Sequence, residues 1–237
     1  MAVAPRRFFR SLLAGFFFVL YGLFALPFAV LLSLPFFPRD WGRRAVRFFY
    51  RMFVKCARIT GLYTVEFRGS PGGRAAGPVG EIVVMNHVSL IDICVLLAHI
   101  PDAVCIAKAS AKRNLFLSAV VSKVFIANDR GGHEVVAEAG GYLRRGVNVV
   151  VFPQGTRGGK KLHRGAARLA LATGARVRAY HIDYEPVVLA KGQPWWDVGE
   201  KNLVIRLEER ENIAVDGEPN DYRHAVALTR KIGAAIS

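Results

Sequence analysis

Residues 81–98, Glu81-Ile82-Val83-Val84-Met85-Asn86-His87-Val88-Ser89-Leu90-Ile91-Asp92-Ile93-Cys94-Val95-Leu96-Leu97-Ala98, decide the fold. Four consecutive apolar residues, Ile82–Met85, three of them β-branched, read as a strand buried on both faces. A polar turn follows, and Ile91–Ala98 continues as an apolar helix. A strand that opens through a short turn into a helix is the repeating unit of an α/β domain. Working outward, Ala103–Ile106, Val124–Ala127, Asn148–Phe152, Val177–Ile182 and Asn202–Leu207 read as strands. Leu115–Val121, Glu134–Arg144, Arg164–Ala172 and Asp221–Ile236 read as helices, and residues 70–80, SPGGRAAGPVG, as a loop. The expected fold is α/β, one domain with a largely parallel sheet flanked by helices. No G-x-G-x-x-G or G-x-x-x-x-G-K-[ST] pattern opens a helix, which disfavours nucleotide-binding folds of those types.

The 237 residues suffice for one such domain with a real core. An apolar fraction of 52% with 16 Phe excludes disorder for most of the chain. The formal charge of +15 implies anionic partners: nucleic acid, a membrane surface or phosphorylated ligands. Its distribution chooses among them. Residues 1–60 carry ten Lys and Arg against one acid, Asp40, and so hold +9 of the +15. Between these basic flanks, the 26 residues Leu12–Phe37 hold no charge at all. Arginines around an apolar run suit an anchor facing anionic lipid and not a nucleic-acid arm. A straight helix of that length spans about 39 Å, against about 30 Å of hydrocarbon. Two shapes fit: a tilted single span, or a re-entrant hairpin broken near Gly22 or Pro27. Both leave the rest of the chain in the cytoplasm. Residues 41–58, WGRRAVRFFYRMFVKCAR, have the composition of an interfacial helix, with a basic helix packed on the domain as the alternative. Three cysteines, Cys56, Cys94 and Cys105, with no C-x-x-C spacing give neither a disulfide framework nor a Cys-based zinc site.

Two stretches carry chemistry. In Asn86–Asp92 a histidine and an aspartate lie five apart, about 140° around a regular helix, where they pair poorly. They pair if His87 sits on the turn after the strand and Asp92 in the first turn of the helix. Ser89-x-x-Asp92 supports that placement as a capping-box-like start. An Asp held on one imidazole nitrogen leaves the other free as a base and stabilises the imidazolium. The plainer alternative is a capping Asp92 beside a polar loop His87. The second stretch is Val151-Phe152-Pro153-Gln154-Gly155-Thr156-Arg157-Gly158-Gly159-Lys160-Lys161, where a buried-type strand runs into a Gly-rich basic loop. Such a loop either grips an anionic group or is an ordinary surface turn.

Asn86-His87-(x)4-Asp92 followed about 60 residues later by Phe152-Pro153-Gln154-Gly155-Thr156-Arg157 resembles the glycerolipid acyltransferases typified by 1-acylglycerol-3-phosphate (lysophosphatidate) acyltransferase. The resemblance runs from Tyr63 to Val204. Lys108 to Arg130 is similar to the family's second block, and His163–Ala170 to the stretch after its third. It implies a membrane-anchoring segment, residues 1–60, and a catalytic domain, residues 61–237, on the cytoplasmic face of a bacterial inner membrane. It also implies transfer of an acyl group from acyl-CoA or acyl-carrier protein to a lysolipid hydroxyl. His87 is the implied base and Asp92 its orienting partner, with no metal, cofactor or nucleic acid involved. Arg157, with Gln154, Gly155 and Thr156, would hold the acceptor phosphate, and Arg130 is a second candidate. Lys108, Lys112, Lys160 and Arg164 could meet donor or headgroup phosphates. The remaining histidines, His99, His133, His163, His181 and His224, lack a comparable partner and read as structural.

Two departures bear on the acceptor. Gln154 stands where the family usually has Glu. The expected Pro-centred fourth block is absent from Val177–Ile182, and Pro186–Trp196 resembles instead a branch acting on specialised bacterial lipids of the aryl-polyene type. A different class also fits the charge alone: a non-catalytic basic protein tethering a membrane.

Overall fold

The computed structural model describes residues 5–34, 38–69, 79–108, 124–188, 190–193 and 200–237. The sequence-expected helix Leu115–Val121, Lys112 and, within Pro186–Trp196, residues 189 and 194–196 lie outside them. In chain order the elements are α1 (Pro5–Ser33), α2 (Arg39–Ile59), β1 (Tyr63–Arg68), β2 (Ile82–Met85), α3 (Asp92–His99), β3 (Ala103–Ala107) and β4 (Phe125–Ala127). There follow α4 (Gly132–Arg144), β5 (Asn148–Val151), α5 (Gly165–Thr173), β6 (Val177–Glu185), β7 (Leu203–Ile213) and α6 (Tyr222–Ala235).

The strands form one sheet in the order β1-β7-β6-β2-β5-β3-β4. Every neighbouring pair is parallel except β6 and β7. β2 lies at the centre, hydrogen-bonded to β5 on one side and β6 on the other. Successive side chains of a strand point to opposite faces, which splits the apolar run Ile82–Met85 between two cores. Val83 and Met85 pack with α1, α2 and α3, alongside Tyr180, Ile182 and Tyr184 of β6. Ile82 and Val84 pack with α4, α5 and α6. Both faces are covered, as a mainly parallel sheet requires.

β1 is a strand that the sequence did not suggest. Of its residues only Tyr63 is buried, while Glu66 and Arg68 are exposed; it forms a sheet edge, and its partner β7 lies some 140 residues away in the chain. β7 also runs on to Ile213, well past the expected Leu207, through the charged Glu208–Glu211.

The N-terminal segment corrects one expectation. α1 is continuous through both Gly22 and Pro27, so no hairpin breaks there, and the chain reverses only after Ser33. A proline inside a helix removes one backbone hydrogen bond without forbidding the helix. One face of α1 lies on the domain. Phe17, Phe18 and Tyr21 ring the Phe53 side chain of α2 with centroids 5.2–5.6 Å away, and Phe28 meets Phe49 at 4.9 Å. Arg10 donates to Asn202 Oδ1 (2.7 Å) and to the Leu62 carbonyl (3.3 Å). The opposite face exposes Phe8, Leu12, Phe16, Leu20 and Leu23. Phe8–Phe28 is long and apolar enough to cross a membrane, by length and composition.

α2 is amphipathic. Val46, Tyr50, Phe53 and Ala57 belong to the same core as α3 and β2, while Arg44, Phe48, Arg51, Lys55 and Arg58 are exposed. Arg43, buried on the inner face, pairs with Asp102 (2.6 Å) and Asp40 (3.0 Å). The helix is thus packed on the domain and still presents a basic, aromatic outer face.

Candidate active site

The site forms outside the carboxyl end of β2, where α/β sheets commonly bind their ligands. Met85 ends the strand, and Asn86 turns the chain. Its side chain makes two bonds to β6: Nδ2 donates to the Ile182 carbonyl (2.8 Å), and Oδ1 accepts from the Ile182 N–H (2.7 Å). This two-point tie fixes the base of the next residue. His87 Nδ1 lies 2.7 Å from Asp92 Oδ2, so the turn brings the pair together as the strand–turn–helix reading required.

Asp92 is completely buried, and a buried carboxylate needs donors. It has four. Oδ2 accepts from His87 Nδ1–H and from the backbone N–H groups of Val88 (2.7 Å) and Ser89 (2.9 Å). Oδ1 accepts from the Tyr184 hydroxyl at 2.5 Å. Fixing Nδ1 as the protonated nitrogen leaves Nε2 as a base. The His87 side chain is 21% exposed, and Nε2 has no hydrogen-bond partner among the described residues. Phe152 lies against the imidazole, ring centroids 4.5 Å apart.

The capping box forms only in part. The Asp92 carboxylate reaches back to the Ser89 N–H as that motif predicts, but the Ser89 hydroxyl does not cap α3. It donates instead to the Val188 carbonyl (2.9 Å), because the turn is buried beneath the segment after β6.

The second stretch folds directly over the first, because β5 is the parallel neighbour of β2 and both chains leave the sheet at the same edge. The His87 backbone is held from both sides. Its N–H donates to Gln154 Oε1 (2.5 Å), and its carbonyl accepts from the Gly158 N–H (2.8 Å). Gln154 therefore spends its side-chain oxygen on the loop that carries the histidine. Gly155 adopts φ +64°, and a Cβ there would come within 3.1 Å of the His163 ring, so this position requires glycine. Thr156 accepts through its carbonyl from the Gly159 N–H (3.1 Å), and Arg157 is half-buried in the same loop.

Arg130 follows β4, three strands from β2, or about 14 Å along the sheet at ~4.8 Å per strand. It pairs with Glu138 of α4. The structure does not bring it to the His87–Asp92 pair. Lys160, Lys161 and Lys108 are exposed, and Arg164 stacks over the Tyr222 ring at 4.6 Å.

Burial pushes the Cys94 thiol up to about 12, which removes it as a nucleophile at neutral pH. His99 and His181 bond the Val95 and Ile236 carbonyls. His224 departs from the expectation that no other histidine meets a carboxylate: Nδ1 lies 3.3 Å from Asp221, which caps α6 three residues earlier. That nitrogen also accepts from the Glu218 N–H, so it cannot be oriented as a donor the way His87 is. The residue that sequence reasoning missed is Tyr184; Asn86 and Ser89 stood in the motif without the contacts to Ile182 and Val188 that they make. Only the in-phase run Tyr180, Ile182, Tyr184 on one face of β6 hinted at Tyr184.

Comparison with known proteins agrees with this geometry. The family model described as Acyltransferase matches residues 73–185, just under half of the chain, a span that contains both His87–Asp92 and the 152–158 loop. No curated protein matches in sequence. A solved structure that matches is the 1-acyl-sn-glycerophosphate (LPA) acyltransferase PlsC from Thermotoga maritima. Its TM-score is 0.72 at 22% identity, covering 98% of this chain and 93% of that one. At that identity the likeness speaks for the shared fold.

A mainly parallel sheet, a histidine–aspartate pair at its carboxyl edge and the match to the Acyltransferase family model point to an acyltransferase. The reading as a non-catalytic tether falls with them. Within that class the chain resembles the 1-acylglycerol-3-phosphate acyltransferase family of glycerolipid acyltransferases.

Proposed function

We propose that this protein moves a fatty acyl group from acyl-CoA or acyl-carrier protein to the free hydroxyl of 1-acylglycerol-3-phosphate, giving phosphatidate at a membrane surface. The observation that carries the reading is the fully buried Asp92 holding Nδ1 of a partly exposed His87. Nε2 takes the hydroxyl proton as the lysolipid oxygen attacks the thioester carbonyl. The C–O bond forms, the carbonyl π electrons move to oxygen, and the imidazolium is stabilised by Asp92. Collapse of the tetrahedral intermediate breaks the C–S bond, and the imidazolium proton leaves with the thiolate. The thioester is already activated, so the chemistry needs no enzyme nucleophile.

The 152–158 loop folds beside this pair, and Arg157 is the side chain we assign to the acceptor phosphate, with the Gly155–Thr156 backbone shaping the turn. The ion pair with Glu138 argues for Arg130 as a structural residue of the β4–α4 turn. The apolar outer face of α1 and the basic, aromatic outer face of α2 support association with an anionic leaflet, in the orientation that leaves the domain on the cytoplasmic side of a bacterial inner membrane. Because α1 lies along α2 and the domain, the pair is read as a helical hairpin lying in the interface and not as an isolated span. The resemblance of Pro186–Trp196 to a branch acting on specialised bacterial lipids is the ground for a second acceptor class, a lipid without a phosphate monoester. The test is transfer by the purified full-length protein from labelled acyl-CoA and acyl-carrier protein to a panel of lysolipids, read by product mass. Phosphatidate should dominate; an unphosphorylated product in its place would transfer the assignment to the second class.

A further inference from the structure

Tyr184 reaches the site from β6, on the strand that also anchors Asn86. Its hydroxyl donates to Asp92 Oδ1, the carboxylate oxygen that His87 does not use. We propose that Tyr184 is a positioning residue that sets the basicity of His87, by drawing part of the Asp92 charge onto its own O–H and by fixing the plane of the carboxylate. This deepens the reading of His87 as base and rests on it. A donor to a carboxylate favours its ionised form and weakens its hold on a proton. In a coupled pair the effect belongs to the pair, so losing the donor makes His87 and Asp92 together retain their proton to higher pH. Burial, reinforced by the Asp92 charge, pushes the Tyr184 phenol well above its ordinary value, and it stays a donor at every working pH.

The other titratable groups on the packed elements leave this logic intact. Burial holds Cys94 of α3 and Tyr50 of α2 neutral. Asp183 and Glu185 of β6 face the opposite side and pair with Arg206. Arg157, on the overlying loop, is common to every variant compared. Packing alone does not account for the contact, because a phenylalanine would fill the same buried space and leave Oδ1 without a donor.

The experiment uses the full chain in detergent micelles with phenylalanine or 3-fluorotyrosine, a stronger donor, at position 184. Two readouts are taken: the pH profile of kcat/KM with acyl-CoA and lysophosphatidate, and the titration of His87 by nitrogen-15 histidine NMR, its signal identified by loss in His87→Ala. Tyr184→Phe should move the acid limb and the NMR titration up by about 1–2 pH units, the equivalent of one hydrogen bond to a charged group. The high-pH plateau should stay within about tenfold of wild type. Fluorotyrosine should move both readouts down. A lower plateau with an unmoved limb and unmoved titration would overturn the proposal and make Tyr184 a packing residue. If Tyr184→Phe fails to fold, the near-isosteric fluorotyrosine variant decides, and an unmoved titration there is equally fatal. Full activity of His87→Ala would instead sink the reading of His87 as base, a distinct result.

Discussion

Replacing Asp92 by Asn removes a charge and little else. The amide oxygen can occupy the Oδ2 position and keep the Val88 and Ser89 N–H groups and the His87 Nδ1–H bonded. The amide nitrogen then stands where Oδ1 was, and the Tyr184 hydroxyl can rotate to accept from it. What disappears is the attraction between a carboxylate and the imidazolium formed in the transition state. With charge centres about 4 Å apart and an effective dielectric constant near 20, that attraction is about 4 kcal/mol. The expected loss is therefore about a thousandfold in kcat, with KM little changed, since the ground-state imidazole is neutral. Asp92→Ala should behave differently. It leaves the buried Ser89 N–H and Tyr184 hydroxyl, and the part-buried Val88 N–H and His87 Nδ1–H, without their acceptor, and should cost about 1–3 kcal/mol of stability for each fully buried donor. The assay is labelled acyl transfer at saturating donor, with thermal unfolding measured alongside. An Asp92→Asn enzyme that folds normally and keeps more than about a tenth of wild-type turnover would refute the role given to the charge.

Arg157→Ala should lower kcat/KM on phosphorylated acceptors by roughly tenfold to a hundredfold, the equivalent of a hydrogen bond to a charged group. An equal loss on unphosphorylated acceptors would show that Arg157 only supports its loop. Gln154→Glu retains an oxygen for the His87 N–H and should keep most of the turnover, whereas Gln154→Leu should reduce kcat more than it raises KM; the opposite split would make Gln154 an acceptor-binding group. Changing Phe16, Leu20 and Leu23 together to Ser should release the protein from anionic vesicles in a sedimentation assay without unfolding it, because burying each large apolar side chain is worth about 1.5–3 kcal/mol and these three are exposed on the fold. Continued sedimentation through high salt would place the membrane contact elsewhere.

Much of this arrangement is legible in the chain because it is local. The apolar strands β2 and β5, the helix after Asp92 and the loop after Phe152 each declare themselves within about ten residues. Their meeting follows from β2 and β5 being adjacent, which the motif order suggests and pairing delivers. The unread parts are long-range. β1 carries Glu66 and Arg68 on an edge strand, and its place depends on β7. Asn86 and Tyr184 matter through contacts 96 and 92 residues apart, which no local spacing encodes. α2 shows the same limit: its composition gives an amphipathic basic helix, but only the packed structure reveals that Val46, Tyr50 and Phe53 belong to the catalytic domain's own core. Residues 1–60 and the domain that follows therefore share a core, and cutting the chain at Gly61 would expose that apolar face as well as remove the proposed anchor.

The proposed role of His87 as the base of an acyl transfer to a lysolipid hydroxyl stands or falls on one comparison: the rate at which purified wild-type and His87→Ala protein convert acyl-CoA and lysophosphatidate to phosphatidate, both variants matched for unfolding temperature and vesicle binding. A positioned general base contributes about a hundredfold to ten-thousandfold. His87→Ala should lose at least that lower figure with fold and binding intact; turnover equal to wild type would show that His87 is not the base.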